Sequence, residues 1–116
     1  ELSTLGPTRM AELYQGDILH HDLDPEQFGF SRPDPQALQA GDAEENARVL
    51  SGILHGESGP QRDIAVLNAA AALYVSGVAA SLEDGVQRAA TAIDSGAARE
   101  KLERLAAFTQ EEAGEA

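Results

Sequence analysis

The stretch PQRDIAVLNAAAALYVSG, residues 60–77, decides the fold of this chain. Pro60 suits the first turn of a helix, because the N–H that proline lacks would have no partner there. Gly77 suits the position just after the last turn, so the helix is expected to run to about Ser76. From Ile64 onward the stretch is apolar on nearly all sides, which is typical of a buried helix. The stretch therefore predicts a central helix around which the rest of the chain packs.

Helix signals recur on both sides of the central helix. Asp42, with Glu45 three residues later, has the pattern of a capping box before the first helix. Ser81 is placed to cap a third helix that follows the central one. We therefore expect a short turn and four helices over residues 35–110, followed by a solvated acidic tail over residues 111–116.

The apolar side chains of these helices predict a thin core. Of 49 apolar residues, 21 are alanine and only 26 are Leu, Ile, Val, Phe or Met. Alanine adds little apolar area, but it favours helix and lets helices approach closely. The run Ala69 to Ala72 therefore predicts a tight helix crossing. The residues that we expect to be largely buried are Leu50, Ile53, Leu54, Ile64, Leu67, Ala71, Leu73, Tyr74, Val86, Ala90, Ile93, Leu102 and Leu105.

The first thirty residues follow a different pattern. Thr8 to Tyr14 and Ile18 to Leu23 favour extended chain, and Gln15-Gly16-Asp17 between them supplies a tight turn. This predicts a β-hairpin over residues 8–23, with a single helical turn opening at Asp24-Pro25-Glu26. Because a two-stranded ribbon is marginal alone, we expect the hairpin to pack on the helices or to pair with another chain. The predicted fold is a mostly helical α/β fragment, a hairpin followed by about four packed helices.

Composition and charge exclude several classes of protein. The chain has 8 basic and 20 acidic side chains, a net charge of −12, which disfavours binding to nucleic acid and to anionic membranes. The absence of cysteine excludes disulfide scaffolds, thiolate zinc sites and cysteine nucleophiles. The longest apolar run, Ile64 to Val75, is shorter than the roughly 20 residues of a membrane span. We expect a soluble, cytoplasmic protein.

The sequence His20-His21-Asp22-Leu23-Asp24 has the composition of a metal site but the wrong geometry. On a strand His20 and Asp22 share one face, whereas His21 shares the other face with Leu23. A zinc site needs three or four ligands, so one His and one Asp are a poor start. A solvated polar face is the better interpretation.

Other motifs also favour structural interpretations. Gly56-Glu57-Ser58-Gly59 resembles a nucleophile elbow only loosely, because Pro60 occupies the last glycine position and no strand precedes it. Glycine-rich phosphate loops are absent from the sequence. Asn68, inside the apolar helix, needs a hydrogen-bond partner and is expected to link helices. We expect no catalytic or cofactor-binding residue in this chain.

Five segments together resemble the C-terminal part of the anthranilate phosphoribosyltransferase family. The first, Glu1-Leu2-Ser3-Thr4-Leu5-Gly6-Pro7-Thr8, resembles the stretch that follows the family's Asp-Glu metal motif. The others are His21-Asp22-Leu23-Asp24-Pro25-Glu26-Gln27-Phe28-Gly29, Gly41-Asp42-Ala43-Glu44-Glu45-Asn46-Ala47, Leu67-Asn68-Ala69-Ala70-Ala71-Ala72-Leu73-Tyr74 and Asp94-Ser95-Gly96-Ala97-Ala98. Their order and spacing agree with the family over essentially the whole chain.

The resemblance implies the C-terminal portion of a large α/β domain, residues 1–116, in a two-domain, homodimeric enzyme of tryptophan biosynthesis. Such enzymes transfer phosphoribosyl from phosphoribosyl pyrophosphate to anthranilate, with magnesium supporting the departing pyrophosphate. Only the Glu of the metal motif is present here, as Glu1, which is therefore the candidate magnesium ligand. We expect the last third of a longer enzyme, which by itself is inactive and exposes hairpin edges to the missing N-terminal part or to another copy of the chain.

Two other interpretations stay open on the sequence. A stand-alone acidic helical module could bind a protein partner through its alanine-rich helix and do no chemistry. A relative of the pyrimidine nucleoside phosphorylases would share the architecture and act on a different substrate, because fold does not determine function. Taken alone, a terminal glutamate such as Glu1 is a frayed, solvated group.

Overall fold

The structure is a computed structural model and describes residues 1–115, the last of them by its backbone alone. A two-stranded hairpin comes first and four helices follow, which confirms the predicted fold class. The elements are β1 (Thr8–Tyr14), β2 (Asp17–Leu23), α1 (Ala43–Leu54), α2 (Pro60–Val75), α3 (Leu82–Asp94) and α4 (Ala97–Glu115), with single-turn 3₁₀ helices at Pro25–Phe28 and Pro35–Leu38.

The hairpin forms because two residues between the strands take the left-handed conformation. β1 and β2 are antiparallel, with Thr8 opposite Leu23 and Tyr14 opposite Asp17. Gln15 has a φ of 51° and Gly16 a φ of 89°. Positive φ at both central residues defines the type I′ turn, whose twist matches that of the strands.

Side-chain caps begin two of the helices where the sequence predicted them. At α1, Oδ1 of Asp42 accepts from the backbone N–H of Glu45 at 2.8 Å, and Oε2 of Glu45 accepts from the N–H of Asp42 at 3.0 Å. This is the reciprocal capping box. At α3, Oγ of Ser81 accepts from the N–H of Asp84 at 3.0 Å. These bonds satisfy N–H groups that have no partner inside the helix.

The core lies where α2 packs against α3. Ala70 is fully buried, and an ideal Cβ built on Gly85 would lie 2.7 Å from the Ala70 carbonyl oxygen. The tight crossing predicted for Ala69 to Ala72 is thus confirmed, with glycine as the partner. The buried apolar residues are Val66, Leu67, Ala70, Ala79, Ala89 and Ile93.

The prediction of burial is wrong for two residues. Leu50 on α1 is 44% exposed and Leu105 on α4 is 56% exposed, because α2 and α3 cover only part of the apolar faces of those helices. Of the other predicted core residues, Leu67 and Ile93 are buried and the rest are half-buried. The central helix α2 is not buried all round either, since Val75 is 85% exposed.

α4 extends further than the sequence predicted. It continues through residues 111–115, where a non-helical tail was expected. The physical reason is composition: Glu111, Glu112 and Ala113 favour helix, and no proline interrupts them. Residues 111–114 are exposed, and Ala116, the end of the predicted tail, lies outside the described residues.

Candidate functional site

The segment that carries Glu1 is held in place by the start of the hairpin. Glu1 is exposed, whereas Thr4, three residues later, is fully buried. The backbone N–H of Ser3 donates to Oγ1 of Thr8 at 3.1 Å. The first residues are therefore tied to β1, where the sequence alone suggested a frayed terminus.

Asn68 holds the same segment from the side of α2. Its Oδ1 accepts from the Leu2 N–H at 2.9 Å, and its Nδ2 donates to the Leu2 carbonyl at 2.8 Å. Nδ2 also donates to the Ile64 carbonyl at 2.9 Å, one turn earlier in α2. The prediction that Asn68 links helices is wrong, because it links α2 to the N-terminal segment. An extended segment offers a free N–H and C=O, whereas those inside a neighbouring helix are already paired.

Glu1 fits a magnesium site as one ligand, not as the whole site. Among residues 1–115, no three His, Cys, Asp or Glu side chains are grouped so that they could hold a metal ion. Magnesium is usually bound through one or two carboxylates together with waters and substrate phosphates. The exposed carboxylate of Glu1 matches that donor chemistry, and any such site would need further ligands from outside these residues.

The neighbouring histidines point to opposite faces of the hairpin, as the sequence predicted. His20 lies opposite Ala11 and His21 opposite Met10. On the His20 face, the carboxylate of Asp22 pairs with Arg9, with 3.8 Å between Oδ1 and Nε. The two imidazoles therefore do not converge on one point, and Asp22 already has a partner.

Glu12, His21 and Tyr74 form a polar cluster that sequence reasoning missed. The Tyr74 hydroxyl donates to Oε2 of Glu12, and Nε2 of His21 lies 3.3 Å from Oε1 of the same carboxylate. The Glu12 side chain is only 19% exposed. The register of a hairpin could have placed Glu12 and His21 on one face, but no sequence signal connects them to Tyr74, which lies on α2.

The three residues of the cluster line a groove of about 280 Å³ between the hairpin and the start of α3. The hydrogen bond to Glu12 raises the pKa of Tyr74 above its usual value of 10, and desolvation and the negative charge of Glu12 act in the same direction. Tyr74 is therefore a hydroxyl donor at neutral pH, and the cluster links the hairpin to α2. The lining residues include Met10, Leu23, Phe28, Leu82 and Glu83.

Most basic side chains already face carboxylates. Arg62 makes two hydrogen bonds to Asp94, at 2.9 and 3.0 Å, which join the start of α2 to the end of α3. The other paired arginines are Arg9, Arg32, Arg48, Arg88 and Arg99. The remaining two of the eight Lys and Arg residues are Lys101 and Arg104, both on α4. A pyrophosphate requires converging cations or N–H groups, and the pairing leaves few cations for that task.

The Gly56–Gly59 stretch lies in the loop between α1 and α2, as predicted, so a helix and not a strand leads into it. Gly56 and Gly59 have φ values of 95° and 138°, which residues other than glycine rarely adopt. Within residues 1–115, no helix has both the length and the apolar character required to cross a membrane.

Comparison with known proteins identifies close relatives by sequence. The sequence model of a family described as "Glycosyl transferase family, a/b domain" matches residues 1–99. The anthranilate phosphoribosyltransferase of Azorhizobium caulinodans is 49% identical over 110 residues, which cover 95% of this chain and 32% of that enzyme. The enzyme of the same name from Methanocorpusculum labreanum is 45% identical over 105 residues, which cover 90% and 31%.

A solved structure confirms the fold. The anthranilate phosphoribosyltransferase of Thermus thermophilus aligns with a TM-score of 0.82 and 38% identity, over 93% of this chain and 32% of that one. The chain spans about a third of the length of these relatives. It belongs to the glycosyl transferase family, as part of its α/β domain, and is similar to the C-terminal region of the family's anthranilate phosphoribosyltransferases.

Proposed function

We propose that this chain works as the C-terminal region of an anthranilate phosphoribosyltransferase. Such an enzyme transfers phosphoribosyl from phosphoribosyl pyrophosphate to the amino group of anthranilate in tryptophan biosynthesis. Two findings support the proposal. The chain is 49% identical to an enzyme of that name, and residues 1–99 match the family's α/β domain. We also propose that the full-length enzyme is a homodimer and lies in the cytoplasm.

The observation that carries the proposal is the exposed carboxylate of Glu1 on an anchored segment. The backbone beside it is held by two hydrogen bonds between Leu2 and Asn68, one in each direction, and by one from the Ser3 N–H to Thr8. Glu1 would supply one oxygen ligand to magnesium, which, when bound, neutralises charge on the departing pyrophosphate. Asn68 and Thr8 hold the backbone of the segment that carries this carboxylate.

We further propose that the isolated chain is inactive. Its net charge of −12 repels a pyrophosphate, and six of its eight cations already pair with carboxylates. Glu1 is a single candidate ligand, so residues outside this chain would complete the site. Phosphate binding at helix N-termini alone would lack the basic side chains that strengthen it.

Titration calorimetry of the isolated chain with magnesium and phosphoribosyl pyrophosphate tests the second proposal. We expect no binding in the micromolar range, and micromolar binding would mean that the chain carries a phosphate site of its own.

The full-length enzyme tests the first proposal. Glu1→Gln should weaken magnesium-dependent turnover of anthranilate while leaving the circular dichroism spectrum unchanged. The matched control is Glu111→Gln, which removes an equally exposed carboxylate from α4. Turnover of a pyrimidine nucleoside with phosphate, and none of anthranilate, would instead assign the enzyme to the nucleoside phosphorylase class.

A further inference from the structure

The side-chain amide of Asn68 pairs with the backbone of Leu2 as one peptide group pairs with another. It accepts from the Leu2 N–H at 2.9 Å and donates to the Leu2 carbonyl at 2.8 Å. The second N–H of the amide donates to the Ile64 carbonyl of its own helix at 2.9 Å. That third bond fixes the orientation of the amide, so Asn68 is a rigid support and not a flexible contact.

The support acts directly on the residue before Leu2. The Leu2 N–H belongs to the peptide plane that also contains the carbonyl and Cα of Glu1, and this plane is rigid. Holding the N–H therefore holds the Cα from which the Glu1 side chain extends. Asn68 and Glu1 lie 67 positions apart in sequence, yet one peptide plane connects them.

We propose that Asn68 is a positioning residue for the Glu1 carboxylate, and this inference rests on the proposed role of Glu1 as a magnesium ligand. An amide side chain carries its acceptor and its two N–H donors on separate atoms, so Asn68 makes both bonds to Leu2 and still has one N–H for Ile64. Aspartate would keep the acceptor and lose both donors, and leucine would lose all three bonds. Groups that orient a metal ligand typically contribute about 10- to 100-fold to metal affinity.

The test uses the full-length enzyme with manganese(II) as an electron paramagnetic resonance probe, in the presence of phosphoribosyl pyrophosphate and without anthranilate. Asn68→Ala should weaken manganese binding about 10-fold or more. The Glu1→Gln/Asn68→Ala double variant should bind no more weakly than Glu1→Gln alone, because the support has then lost the group it positions. A purely structural role would not produce that non-additivity.

Two further variants keep the test decisive. Asn68→Leu loses all three bonds while keeping a side chain of similar size and no charge, so it replaces Asn68→Ala if the latter fails to fold. Ser76→Ala is the matched control, because it deletes a side-chain bond to a carbonyl of α2, that of Leu73, and should leave manganese binding unchanged.

The outcomes separate the two claims. If Glu1→Gln weakens manganese binding but the Asn68 variants do not, or if the effects of Glu1 and Asn68 multiply, the positioning role is wrong and the role of Glu1 stands. If Glu1→Gln leaves manganese binding unchanged, the proposed role of Glu1 is wrong, and the positioning role falls with it.

Discussion

The hydroxyl of Tyr74 on α2 donates a hydrogen bond to the Glu12 carboxylate on β1, across 62 positions of sequence. Glu12 accepts this bond while its second oxygen faces His21 on β2. One carboxylate thus connects both strands of the hairpin to the helical part of the chain. Because a two-stranded ribbon is marginal by itself, we expect this link to help hold the hairpin against α2.

Removing the link should loosen the hairpin without unfolding the helices. In Tyr74→Phe, Glu12 loses a partner while it stays largely shielded from water, which is costly for a carboxylate. We expect faster hydrogen exchange at the β1 and β2 amides and unchanged exchange in α3.

Tyr14→Phe is the control for this change. Tyr14 is 53% exposed, and its hydroxyl only accepts from the Gln15 side chain. It should therefore leave the exchange rates of the hairpin as they are. An equal loss of protection in α3 and in the hairpin of Tyr74→Phe would contradict a local role for Tyr74.

The raised pKa of Tyr74 predicts how the link depends on pH. The folded pKa lies above the unfolded value of about 10, so the stabilisation is fully present below pH 10. It is lost as the pH rises through the folded pKa, because the phenolate cannot donate to Glu12. The chain has two tyrosines and no tryptophan, so in a Tyr14→Phe background the ultraviolet absorbance change reports Tyr74 alone. Glu12→Gln should move that titration back toward pH 10, and an unmoved titration would contradict the assigned cause.

Features set by neighbouring residues could be predicted from the sequence. The turn predicted at Gln15-Gly16-Asp17 and the Asp42–Glu45 capping box each depend on residues within three positions. The structure contains both, although Asp17 is already the first residue of β2. The opposite orientations of His20 and His21 follow from the two-residue period of a strand. Local geometry restricts such features strongly enough that a single sequence suffices.

Features set by distant residues could not be predicted. An apolar stripe shows which face a helix would bury, but not whether another element reaches that face, and so Leu50 and Leu105 are exposed. The partner of Asn68 is Leu2, 66 positions away, and a backbone partner leaves no trace in side-chain patterns. The proposed role of Glu1 could therefore be predicted, through resemblance, whereas the contact between Asn68 and Leu2 could not.

Leu67 should be among the most sensitive positions of the core. It is 2% exposed on α2, so Leu67→Ala should lower the free energy of unfolding by about 2–5 kcal/mol, the usual range for truncating a buried leucine. Urea denaturation followed by circular dichroism measures the loss. Leu105→Ala, at a side chain that is 56% exposed, should stay within about 0.5 kcal/mol of the original chain. Similar losses for both would show that α2 is not the centre of the bundle.

Gly85→Ala tests the crossing of α2 and α3, since helix propensity and packing act there in opposite directions. Alanine in place of glycine favours a helix by about 1 kcal/mol. However, the new Cβ would lie 2.7 Å from the Ala70 carbonyl oxygen and 3.0 Å from the Ala70 Cα, and both are backbone atoms that move only if the helices separate. Overpacking of this kind costs about 1–3 kcal/mol, so we expect a net loss of stability in urea denaturation.

Gly114→Ala separates the effect of helix propensity from the effect of packing in Gly85→Ala. Gly114 is also helical, on α4, and nothing lies within 4 Å of its added Cβ, so only the propensity gain applies. Because Gly114 lies one residue before the end of α4, we expect a gain of less than about 1 kcal/mol. If Gly85→Ala is as stable as Gly114→Ala, α2 and α3 do not approach each other at Ala70 as closely as the structure places them.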